Sequence, residues 1–202
     1  MNNTLYFLIE FVKSALWDSM LDTNNSLKCD MSDLLKKAEK QSIVGLVTEG
    51  IKKNGLFEHC VFPEKMLWIA LTTQIEVDNE RCRMVLKQVF EELNSSHIPV
   101  AFMKGLVVGN RYPNPNRRQC GDIDFIVGKH NFGKTLDALD KIGRVHRSLI
   151  HEHHGMAFVD GVTLEPHFKV HNFQNPKVNS AMEDIFLKGF PKDIVYERIG
   201  EY

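Results

Sequence analysis

The 202-residue sequence predicts an α/β (α+β) chain with a mainly helical first half, and three observations carry that expectation. From residue 66 to residue 93 apolar and polar residues recur at helical spacing with no proline to interrupt them. Beyond Asn94-Ser95-Ser96 the apolar residues gather instead into short runs of strand length, at 98–103 and 120–127. Finally, Asp160-Gly161 stands between the β-rich runs Met156-Ala157-Phe158-Val159 and Val162-Thr163-Leu164-Glu165, the signature of a two-residue hairpin.

Taken in order, residues 3–21 place Leu5, Leu8, Ile9, Val12, Leu16 and Met20 at roughly helical spacing and predict a core-facing helix. The polar stretch 22–28 reads as a loop. A second helix opens at Asp30 or Ser32, both good cap residues, and runs toward the stop signal Asn54-Gly55, with Gly45 a weak point inside it. Pro63-Glu64 suits the first turn of the long third helix. Trp17, Trp68, Phe90 and the methionines, at helical spacing, are expected in the core. After the strand at 98–103, Lys104-Gly105 opens a short apolar helix that ends before Tyr112-Pro113, and the Asn114-Pro115-Asn116 loop leads into the strand at 120–127. Residues 131–142 form an amphipathic helix stopped by Gly143. In the second hairpin arm Glu165 and His167 share a face, while Pro166, which cannot donate to a ladder, suggests an edge or a bulge. The expected organisation is a helical region at 1–95, a strand-bearing core at 96–175 and a C-terminal segment at 176–202.

Composition narrows the class. With 43% hydrophobic and 25% charged residues and a formal net charge of −1, the chain is an ordinary globular protein with no electrostatic case for wrapping an extended nucleic acid. Cys29, Cys60, Cys82 and Cys120 lack paired short spacing, which argues against a zinc ribbon or disulfide framework and fits a reduced, cytoplasmic setting. Glu10 and Lys13 interrupt the only early apolar run, so neither a signal peptide nor a membrane span is expected.

Chemistry concentrates in Gly121-Asp122-Ile123-Asp124-Phe125-Ile126-Val127. Alternation sends Asp122 and Asp124 to one face of the strand, where two anions repel unless something cationic compensates them, and a divalent metal is the simplest candidate. Lys104-Gly105 lies upstream and Glu165 in a second alternating strand downstream; that order points to metal-dependent phosphoryl or nucleotidyl transfer. Gly105 lets helix-start amides approach a phosphate, to which Lys104 adds a point charge. Arg118 suits bidentate contact with phosphate or carboxylate, whereas Arg117 is expected to be its solvated neighbour. His151, His153, His154, His167 and His171 cluster around the hairpin; the spacing matches no HExxH-type motif, leaving either a polar face near the phosphate site or a transition-metal site. The pairs Lys36-Lys37 and Lys52-Lys53 read as solvated helix faces, and there is no Walker-type loop, dinucleotide fingerprint or nucleophile elbow.

Lys104, Gly105, Tyr112, Pro113, Arg118, Gly121, Asp122, Asp124, Glu165 and His167 together resemble the nucleotidyltransferase superfamily of the DNA polymerase β type. The closer resemblance is to uncharacterised bacterial nucleotidyltransferases whose motif runs from Lys-Gly through Arg-x-x-Gly-Asp-x-Asp to Glu-x-His. It spans residues 97–171, and Lys104-Gly105 departs from the superfamily's commoner Gly-Gly or Gly-Ser. The resemblance implies a nucleotidyltransferase-like mixed sheet with flanking helices. It implies that Asp122, Asp124 and Glu165 are catalytic and hold Mg²⁺ or Mn²⁺, that Lys104, Gly105, Arg118 and Gly121 bind the NTP phosphates, and that His167 supports the site or touches substrate. The implied reaction moves a nucleoside monophosphate from an NTP to a hydroxyl of a small molecule, a protein or an RNA end, releasing pyrophosphate. Such proteins usually carry a larger helical region after this core, so the chain, ending at Tyr202, reads either as a truncated piece or as a shortened member, with acceptor-binding residues expected to be missing. Two other functions compete: a catalytically weak module that binds nucleotide or a partner, as in toxin–antitoxin pairs, and a histidine-metal hydrolase.

Overall fold

The computed structural model describes residues 3–21, 29–170 and 173–187. His171 and the whole of the expected loop at 22–28 lie outside them. The chain divides into two compact units, Met1–Asn79 with Gly109–Gln119 and Glu80–Val108 with Cys120–Tyr202.

In the first unit α1 (Asn3–Trp17), α2 (Met31–Lys40) and α3 (Val44–Lys53) pack with the first part of α4 (Phe62–Ser95) around Phe7, Phe11, Leu34, Val47, Ile51 and Trp68. The face that α1 buries is Thr4, Phe7, Leu8, Phe11, Ser14 and Ala15, so two of the residues expected to face the core, Leu5 and Ile9, are exposed. This helix is apolar nearly all round, and spacing alone does not choose its stripe. Trp17 at 71% exposure, Met20 and Phe90 are likewise exposed against expectation, while Trp68 is fully buried as expected.

Asp30 caps α2 as anticipated, its side chain accepting from the amides of Ser32 and Asp33 at 3.0 Å each. The expected single helix from there to Asn54 is two helices, and the break falls at Ser42, whose φ is +54°, rather than at Gly45. Gly45 and Gly50 have another purpose. A Cβ on Gly45 would lie 2.3 Å from the carbonyl oxygen of Arg117, and one on Gly50 would lie 2.1 Å from that of Phe11; α1 reaches α3 only because the side chain is absent.

Arg117 itself corrects the sequence reading. It is buried, not solvated: its guanidinium meets Glu49 at 2.9 Å and Glu76 at 2.6 Å, and Asn79 Nδ2 donates to the neighbouring carbonyls of Asn116 and Arg118. The carboxylates come from distant parts of the chain, which local spacing does not reveal.

The second unit contains β1 (Ala101–Met103), all but the last residue of α5 (Gly105–Gly109), β2 (Asp122–Ile126), α6 (Phe132–Ile142), β3 (Arg144–Val145), β4 (Ala157–Val159), β5 (Val162–His167) and α7 (Pro176–Leu187). The five strands form one mixed sheet in the order β1-β2-β5-β4-β3; β2 and β5 are parallel and the other neighbours antiparallel. This is the mixed sheet with flanking helices expected from the motifs, with a short β3 that no sequence signal marked. One face carries Phe102, Ile123, Phe125, Val159, Val162 and Leu164 into a core shared with Val85, Val89 and Leu93 of α4 and with Leu139 of α6. Alternation therefore turns the Asp122, Asp124, Glu165, His167 series to the opposite face.

Pro166 does not mark an edge strand or a bulge. β5 is central, and its antiparallel register with the preceding arm runs on unbroken from Val159 opposite Val162 to His154 opposite His167. The proline is tolerated because its missing donor faces Gly155, beyond the end of β4, where only the bond from Gly155 N to Pro166 O is made.

Candidate active site

Register assembles the site. Across the parallel β2–β5 pair Asp122 stands opposite Thr163, Asp124 opposite Glu165 and Ile126 opposite His167, while Met103 of β1 pairs with Asp124. Residues paired in register share a face, so Asp122, Asp124, Glu165 and His167 project together, with His154 beside His167.

Asp124 is the hub. It is 2% exposed, and its Oδ1 accepts both from Lys104 Nζ at 2.7 Å and from His167 Nε2 at 3.0 Å. Burial pushes its pKa up, but the hydrogen bonds from His167 and Lys104 outweigh this and hold the carboxyl below its ordinary value. Glu165 is shifted the other way, raised by burial and then by the negative charges of Asp124 and Asp122. One carboxylate is thus compensated and its neighbour is not.

Lys104 adopts φ +50° and Gly105 φ +26°, a tight turn between β1 and α5. A Cβ on Gly105 would come to 3.3 Å from the Asp122 carbonyl oxygen. Met103, Gly105, Leu106, Asp122 and Asp124, among others, line one small depression, so turn and carboxylates border one space. Gly121 has no steric need to be glycine within the protein: a Cβ there meets nothing within 4 Å. Arg118 belongs to the first unit, where its guanidinium faces the Gln119 carbonyl oxygen at 3.5 Å.

The ligand atoms of Asp124, Glu165 and His167 lie within 4.8 Å of one another, and those of His153, His154 and His167 form a second such group. Asp122 is outside the first group but one pleat away on the same face. Carboxylate oxygens suit a hard divalent cation, and the strand register puts the carboxylates of Asp122, Asp124 and Glu165 on one face, so the residues present fit one. His154 was not singled out from its neighbours by sequence, yet its Nε2 lies 3.8 Å from Glu165 Oε2. Burial first, and then the nearby imidazoles of His153, His167 and His151, lower its pKa to about 4 against a weaker opposing pull from Asp124, so the ring is neutral at pH 7. A signal was present: counting outward from the Asp160-Gly161 turn places His154 opposite His167.

Fold and site together define a nucleotidyltransferase-type α/β protein. A sequence model of the family described as "Uncharacterised nucleotidyltransferase" matches residues 28–194, and the chain belongs to that family. No curated protein and no solved structure matches it. Among the described residues no helix is long and apolar enough to cross a membrane.

Proposed function

We propose that this protein is a metal-dependent nucleotidyltransferase that moves a nucleoside monophosphate from an NTP to a hydroxyl, with release of pyrophosphate. The observation that carries the reading is the register of β2 against β5, which sets Glu165 directly beside Asp124 on the face that also bears Asp122. Asp122, Asp124 and Glu165 are the residues that would hold Mg²⁺ or Mn²⁺. When bound, such ions stabilise charge on the attacking and leaving oxygens of an in-line displacement.

The chain's own groups account for the rest. In this reading the acceptor hydroxyl oxygen bonds to the α-phosphorus as the bond to the oxygen bridging the β-phosphate breaks, and pyrophosphate leaves with that electron pair. Glu165, set beside Asp124 on the same face, takes the hydroxyl proton. Lys104 leaves Asp124 to meet the triphosphate, as its side chain is 61% exposed and anchored only at the tip. Gly105 and Gly121 let phosphate oxygens approach backbone amides. His167 holds Asp124 in orientation through its Nε2–H.

The test supplies each of the four NTPs, labelled at the α- or the γ-phosphate, with Mg²⁺ and a panel of hydroxyl acceptors. The reading expects α-label on the acceptor and pyrophosphate in solution, both abolished by Asp122→Asn with Asp124→Asn. Transfer of γ-label, or release of orthophosphate alone, contradicts it. Mg²⁺-dependent NTP binding without transfer to any acceptor would favour the catalytically weak binding module instead.

A further inference from the structure

We propose that His153, His154 and His167 form a second metal position, for a borderline transition-metal cation such as Zn²⁺ or Co²⁺, next to the carboxylates and joined to them by the His167–Asp124 hydrogen bond. The inference does not rest on nucleotidyl transfer.

The first argument is spacing. One nitrogen from each ring lies within 4.8 Å of those of the other two. The ring centroids are 4.5 Å (His153–His154), 5.0 Å (His154–His167) and 5.4 Å (His153–His167) apart. Imidazoles bound to one tetrahedral zinc at ordinary Zn–N distances hold their centroids roughly 5 Å apart, so small ring rotations bring the three to a common ion.

The second argument is an unpaired nitrogen. His167 is 1% exposed, and its Nδ1 is buried without a hydrogen-bond partner, as is Nδ1 of His154. A carboxylate oxygen can only accept, so the bond to Asp124 places the His167 proton on Nε2. In the neutral ring this leaves the Nδ1 lone pair free. Metal-ligating histidines have this arrangement, one nitrogen on the ion and the other donating to a carboxylate that fixes tautomer and orientation. Leaving that nitrogen buried and unpaired costs stability, which an ion would restore.

The third argument is rigidity. His154 is bridged to His167 by the sheet register, and the backbone carbonyl of His153 accepts from the amides of Phe168 at 3.0 Å and Lys169 at 3.2 Å. The rings are thus carried on fixed backbone. Three imidazoles without a thiolate select Zn²⁺, Co²⁺ or Ni²⁺ and offer little to Mg²⁺, so the two positions take different ions. A bound ion ties the segment before β4 to β5 and, through His167, steadies Asp124.

The experiment uses the full chain, stripped with chelator and titrated with Co²⁺ in excess Mg²⁺ so that the carboxylates are not counted. One equivalent is expected to give a visible d–d absorption band and to raise the Tm, and both effects are expected to vanish in His153→Ala and in His154→Ala. X-ray absorption at the zinc edge of Zn²⁺-loaded wild type reads the ligands without any variant, with three imidazoles expected. Absence of the band, its persistence in both variants, or an oxygen-only shell overturns the proposal. Asp122→Asn separates this result from the preceding section: it is expected to lose Mg²⁺-dependent NTP binding and to keep the Co²⁺ band.

Discussion

Replacing Lys104 by alanine is expected to move metal affinity and triphosphate affinity in opposite directions. In the free protein the ammonium sits 2.7 Å from Asp124 Oδ1, so it competes with any cation for that oxygen. Asp124 is buried but the lysine is 61% exposed and screened by solvent, so the pair is taken at about 0–1 kcal/mol, and its removal raises affinity for Mn²⁺ alone by up to about fivefold. With a triphosphate present Lys104 exchanges that contact for a charge-assisted bond to phosphate worth about 1.5–3 kcal/mol. The difference, about 0.5–3 kcal/mol, weakens the metal–triphosphate complex by roughly 2- to 150-fold in the variant. Nucleoside without phosphates is expected to bind unchanged. Alanine also keeps the left-handed backbone that Lys104 already adopts at φ +50°, so the comparison carries little new strain. Titration calorimetry with Mn²⁺, with a non-hydrolysable NTP in Mn²⁺, and with the matching nucleoside reads all three terms. Equal losses for triphosphate and nucleoside, or no loss of either, would refute a role for Lys104 at the phosphates.

Other perturbations test separate parts of the account. Glu165 has its carboxyl pKa raised by burial and by Asp124 and Asp122, so its ionisation lowers stability as pH rises from about 4.3 through the raised value, and the deficit is complete above that. Glu165→Gln in chelator-treated protein is therefore expected to raise the Tm at pH 7, with the gain disappearing below about pH 4.3; a lower Tm at pH 7 would show that the carboxylate is not under repulsion. Gly121→Ala, with open space for its Cβ, is expected to leave stability within about 0.5 kcal/mol and still weaken NTP binding, whereas unaltered binding would remove Gly121 from the phosphate site. Arg117→Ala leaves Glu49 and Glu76 unpaired, and because both carboxylates keep some contact with water the expected cost is about 1–3 kcal/mol in urea denaturation, less than a fully buried pair would lose. A change below 0.5 kcal/mol would mean that solvent replaces the pair.

What was legible in the sequence was local. Alternation in residues 121–127 fixed the shared face of Asp122 and Asp124, and Asp160-Gly161 marked the hairpin that carries Glu165 and His167. Only the parallel pairing of β2 with β5 was needed to bring the carboxylates together, and that pairing is made across α6, β3 and β4, so no local signal announces it. Features that depend on distant partners were hidden. Arg117 looked solvated because Glu49 and Glu76 approach it through the packing of other helices. The stripe that α1 buries was ambiguous because Leu5, Tyr6 and Ile9 are as apolar as the residues beneath them. Pro166 suggested an edge because sequence does not say where β4 ends, and that end is what accommodates the missing donor. The proximity of His154 to Glu165 was recoverable in principle from the hairpin register, but only after the turn residues had been counted outward.

The central claim is that the face bearing Asp122, Asp124 and Glu165 binds a nucleoside triphosphate through divalent metal. Electron paramagnetic resonance of Mn²⁺ reports it, as the fall in the free-ion signal beyond that caused by the same NTP without protein. Wild type is expected to take up Mn²⁺ more tightly with NTP present than without. Asp122→Asn combined with Asp124→Asn is expected to lose that uptake while circular dichroism and Tm show an intact fold. Undiminished NTP-dependent Mn²⁺ uptake by the folded double variant would contradict the assignment of the site.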